Sequence, residues 1–114
     1  MAKEKSTKSS FFNRSRLTKN QAKKFLSPVP ESNVFWCNDG SIFRDIKEFK
    51  EALAIMSDHT FTYHSNVAKK DFSNWIRDVV GDERLAQNLE SASDRQQAFK
   101  IVEERCSLLA SKAG

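Results

Sequence analysis

Along most of this chain, apolar residues recur at helical spacing in short runs, and nearly every run opens on a residue suited to cap a helix. Asp45 precedes Ile46, Phe49, Leu53 and Met56, which fall at i, i+3, i+7 and i+10 and share one face. Glu48 stands at capping-box spacing from Asp45. Ser57-Asp58 ends that run and caps the next, in which Phe61 and His64 lie three apart. Phe72, Trp75, Ile76 and Val79 form a third inner face, and Gly81 is free to go left-handed behind them. Asp82 then caps a helix presenting Leu85, Ala86 and Leu89. Ser93 and Gln96, another capping-box pair, introduce Phe99, Val102, Cys106 and Leu109. The spacing predicts about five short helices that bury their stripes against one another. Three Gly and two Pro argue against a turn-rich all-β sandwich.

One stretch breaks this period. Val34, Phe35, Trp36 and Cys37 form an apolar run, Asn38-Asp39-Gly40 signals a turn, and Ile42 and Phe43 resume the run. Gly accepts positive φ, so Asp-Gly between two such runs predicts a β-hairpin. A two-stranded hairpin needs support, and its period of two turns Phe35 and Trp36 to opposite faces. These two rings are the candidate partner surface. The expected fold is mainly α (α+β): an N-terminal hairpin packed on about five short helices, preceded by a disordered basic tail.

Charge is divided unevenly. Residues 1–25 hold Lys3, Lys5, Lys8, Arg14, Arg16, Lys19, Lys23 and Lys24 against one acid, Glu4, a charge of +7. Residues 26–114 carry 11 basic and 14 acidic groups, a charge of −3. Residues 1–26 therefore read as a flexible basic arm. Residues 27–33, with Pro28 and Pro30, read as a linker, and 34–112 as one helical domain. Within the arm, "SRLTKNQAKKFL" has capping-box spacing at Thr18 and Gln21 and a thin stripe of Leu17, Ala22 and Phe25. The arm suits an anionic partner through counterion release. Lys69 and Lys70, before a helix start, are further candidate anion contacts.

Several classes are disfavoured. No apolar run approaches the ~18 residues of a membrane span, and the basic start leads into no secretory h-region. A mitochondrial presequence fits poorly, since Lys outnumbers Arg and the segment is weakly amphipathic. Cys37 and Cys106 lie far apart and read as buried, reduced thiols of a cytoplasmic protein. His59, His64 and Cys37 have the wrong spacing for zinc, so no metal or cofactor is expected. His64, Asp71, Asn74 and Asp78 form the candidate polar network, with Asp71 as an N-cap and Asp78 accepting from His64 or an indole. Read as chemistry, His64 beside Asp71 and Asp78 begins a general-base arrangement, but neither a nucleophile nor a phosphate loop accompanies it.

The order "FWCNDGSIFRDIKEFKEALAIMSDHTFTYHSN…DFSNWIRDVVGDERLAQNL" resembles a prokaryotic (archaeal and bacterial) family of small domains of unknown function. The matching positions are Asp39-Gly40, Met56-Ser57-Asp58, Phe61, Tyr63-His64, Asp71-Phe72, Asn74-Trp75, Asp78-Val79, Gly81-Asp82 and Leu85-Ala86. They lie within residues 34–90. Lys70 departs from the pattern, which has Asn before the Asp. The resemblance implies a fold and an accessory role rather than a reaction. The expectation is a non-enzymatic interaction domain whose body binds a protein partner or itself. The alternatives are a nonspecific nucleic-acid-binding protein acting through residues 1–25, and an enzyme centred on His64, Asp71 and Asp78.

Overall fold

The computed structural model describes residues 16–114. Helix α1 spans Lys19–Leu26, and a 3-10 turn at Glu31–Asn33 leads to the hairpin strands β1 (Phe35–Trp36) and β2 (Ile42–Phe43). Then follow α2 (Ile46–Ile55), α3 (Asp58–His64), α4 (Asp71–Trp75), α5 (Glu83–Glu90) and α6 (Arg95–Ala113). The chain is mainly α-helical with one antiparallel hairpin, in which Phe35 pairs with Phe43 and Trp36 with Ile42.

The caps explain most boundaries. Thr18 and Gln21 form a reciprocal capping box, and Asp45, Ser57 and Asp82 each accept a backbone N–H of the helix they precede. Two details differ from expectation. Glu48 accepts the N–H of Arg44 rather than that of Asp45. The cap of α6 is Asp94, one residue later than Ser93, and Gln97 reaches back to the Ser93 N–H. On α6, Ala98 sits fully in the core with Val102, Cys106 and Leu109, and Phe99 is half-buried.

α4 continues into a π-helical turn, Ile76–Val80, closed by a 2.8 Å bond from the Gly81 N–H to the Ile76 carbonyl. A π turn holds more residues than an α turn, so the apolar phase slips by one position. Val80 rather than Val79 is fully buried. Gly81, at φ 95°, ends the turn in the left-handed region that glycine tolerates.

The hairpin rests on an aromatic cluster. Phe35 stacks on Phe43 at 4.8 Å, Phe43 on Phe49 at 5.2 Å, and Phe49 meets Phe72 at 5.0 Å. Trp75 stands edge-on to Phe35 and Phe43. α6 packs along α1, α2 and α5. Arg95 ties its start to the preceding helices, donating to the Leu53 carbonyl at 2.8 Å and to Asp58 at 3.0 Å.

The expected boundary between arm and body does not hold. Ala22 of α1 is fully buried, and Leu17, Phe25 and Leu26 pack against the core. The stripe is thin, but α6 offers it a complementary surface. Residues 27–33 are not a loose linker either. Val29 donates to the Arg44 carbonyl, and the Asn33 carbonyl accepts the Trp75 indole N–H, both at 2.8 Å.

Candidate functional site

The polar network forms where α3, the hairpin turn and α4 meet. His64 closes α3 on its buried face, between the rings of Phe35 at 5.1 Å and Phe72 at 5.2 Å. Asn66 Oδ1 accepts the N–H groups of Ala68 and Lys69, folding the loop so that Asp71 returns to His64. The backbone N–H of Asn38 donates to His64 Nε2 at 2.9 Å. Nε2 must therefore carry the lone pair, so Nδ1 holds the proton and donates to Asp71 Oδ2 at 3.0 Å. Lys69 Nζ lies 3.3 Å from the same oxygen and 3.9 Å above the centre of the Tyr63 ring.

Both imidazole nitrogens are thus engaged, and the ring has no free lone pair with which to abstract a proton. Asp71 is the first residue of α4 rather than its cap. Its carboxylate is spent on His64 and Lys69, while Lys70 occupies the cap position without a side-chain bond. Asn74 and Asp78 are exposed, and among the described residues neither bonds to His64 or Asp71. The indole that Asp78 was expected to serve donates to Asn33 instead. The π turn rotates residue 78 away from the face that an unbroken α-helix would give it.

No group of three His, Cys, Asp or Glu side chains converges as metal ligands among the described residues. His59 is exposed, whereas Cys37 is buried. Burial pushes the thiols of Cys37 and Cys106 above their ordinary value, which holds them in the unreactive protonated form.

On the hairpin, Phe35 faces the aromatic cluster and is not available to a partner. Trp36 points away and is 72% exposed. The Asp39 carboxylate accepts the Ser41 hydroxyl at 2.6 Å and the Ser41 N–H at 2.9 Å. These bonds hold it below the usual carboxylate range and brace the turn beneath Trp36.

No protein-family model, curated protein or solved structure matches this chain.

Of the candidate anion contacts, Lys3, Lys5, Lys8 and Arg14 lie outside the described residues. Arg16, Lys19, Lys23 and Lys24 are exposed on and just before α1. Lys69 is committed to Asp71, and Lys70 is half-buried.

One feature escaped the sequence reading. Asp82, 1% exposed, accepts Arg105 Nε on one oxygen and Nη2 on the other, both at 2.8 Å, while Oδ1 also accepts the Leu85 N–H. Such a bidentate pair locks α5 to α6. The cap signal at Asp82 was visible, but nothing local marked Arg105 as its partner. Nearby, Arg77 donates to Glu90 and Glu83, and these bonds hold its guanidinium above its ordinary value. Among the described residues, no helix is long and apolar enough to cross a membrane.

Proposed function

We propose that this chain is a small non-enzymatic interaction domain, cytoplasmic, whose body binds a protein partner and whose basic N-terminal segment engages an anionic surface. Trp36 carries the reading. The hairpin seats Phe35 and Cys37 in the core and leaves the large ring between them 72% exposed, on a strand that leads into a braced turn. A large aromatic held in this way is the kind of residue that anchors protein interfaces. The resemblance of residues 34–90 to small domains of unknown function belongs to the same proposal and favours an accessory role. Two free, buried cysteines suit a reducing compartment.

A photo-crosslinking amino acid at position 36 tests this in the full chain. Discrete adducts are expected there and not from the same probe at exposed Glu103. No adduct at position 36, or the same adducts at both positions, rejects the reading.

The exposed cations on and before α1 favour a second reading, sequence-nonspecific binding to DNA or RNA. Its mark is affinity that falls steeply with salt and is lost when Lys19, Lys23 and Lys24 become Gln. Salt-insensitive binding, or none, rejects it.

A further inference from the structure

The segment from Arg16 through α1, the first turns of α5 and the second half of α6 line an open groove of about 620 Å³. This volume falls within the range of pockets that accept several connected groups rather than a single small ion. Its apolar lining comes from Leu17, Phe25 and Leu108, the last 50% exposed although it sits beside the core helix face.

Cations outnumber acids around this lining, with Arg16, Arg84, Arg105 and Lys112 against Asp82 and Glu83. Asp82 is consumed by Arg105, and Glu83 is engaged by Arg77. Arg16, Arg84 and Lys112 are exposed and have no ion-pair partner among the described residues. Arg105 uses Nε and Nη2 on Asp82, and its Nη1 makes no hydrogen bond among those residues. A groove that joins apolar side chains to an excess of cations is complementary to a ligand carrying both carboxylates and apolar groups. Single-stranded nucleic acid fits less well, because the lining offers only a half-buried Phe25 for base stacking.

We propose that this groove binds an acidic segment of a protein partner, with apolar side chains against Leu17, Phe25 and Leu108 and carboxylates on Arg16, Arg84 and Lys112. The proposal rests on the body being a protein-binding module, but not on Trp36.

Fluorescence anisotropy with the full chain tests it, using a labelled peptide rich in Glu and Leu. A second peptide has the same charge, with Ser in place of Leu. The wild-type chain and a Trp36→Ala variant are expected to bind the Glu/Leu peptide equally. Arg84→Glu with Lys112→Glu is expected to weaken binding at least about tenfold, and Leu108→Gln several-fold. All three side chains are exposed, and circular dichroism checks that each variant remains folded. The Ser peptide is expected to bind more weakly than the Glu/Leu peptide.

Three outcomes overturn the proposal: no binding by wild type, no response to the charge reversals, or equal affinity for both peptides. Crosslinks at position 36 without peptide binding reject the groove alone. Peptide binding without those crosslinks rejects the Trp36 reading and leaves the groove standing.

Discussion

At the scale of single residues, Asp82 and Arg105 are a buried pair in which each charge depends on the other. Removing one member of a buried pair leaves the other charge without compensation, whereas removing both leaves no buried charge. Asp82→Ala is therefore expected to cost about 3–5 kcal/mol in urea unfolding. Adding Arg105→Met to it should restore much of the loss, because the stranded cation is gone. A double variant no more stable than the single one would contradict this. His64 and Asp71 illustrate the other side of legibility at this scale. The sequence groups the two residues but points to Asp78 as the acceptor for His64 and to Asp71 as a cap, and the Asn38 N–H that completes the network comes from 26 positions away.

The boundaries of elements were largely legible, since Thr18, Asp45, Ser57 and Asp82 cap by bonds to residues three positions on. The π turn was not. Apolar spacing alone does not reveal that one turn will hold an extra residue, so Val79 and Asp78 were both assigned to the wrong phase. Gly81 closes that turn at φ 95°, and a Cβ placed there would meet Phe25 Cε1 at 3.7 Å, an ordinary contact. Gly81→Ala should thus cost only the left-handed strain, about 1–2 kcal/mol, with α1 still docked. Gly40, at φ 91°, has nothing within 4 Å of such a Cβ. Gly40→Ala should match Gly81→Ala in a thermal melt, and a much larger loss at Gly81 would show that Phe25 does not tolerate the added methyl.

For the whole molecule, the docking of α1 changes where the domain begins. Compared with a chain starting at Arg16, one starting at Ser27 loses the buried Ala22 and the packed Leu17, Phe25 and Leu26. Burying side chains of this size contributes about 1.5–3 kcal/mol each when complete, so a loss of at least about 3 kcal/mol in urea unfolding is expected. Equal stability of the two chains would return α1 to the arm. The same docking builds one wall of the groove. Removing residues through 25 would therefore take away core packing and one wall of the groove together with the basic charge.

By itself the sequence determined what depends on neighbours along the chain: the helix caps, the Asp39-Gly40 turn, the alternation that separates Phe35 from Trp36, and the mainly α class. Those features rest on hydrogen bonds and steric limits spanning only a few residues. Tertiary structure alone decided which way Trp36 faces, that α1 packs on α6, and that Arg105 meets Asp82. Each of these is set by the relative placement of separate elements. Packing free energy fixes that placement, and no periodicity within a single element encodes it.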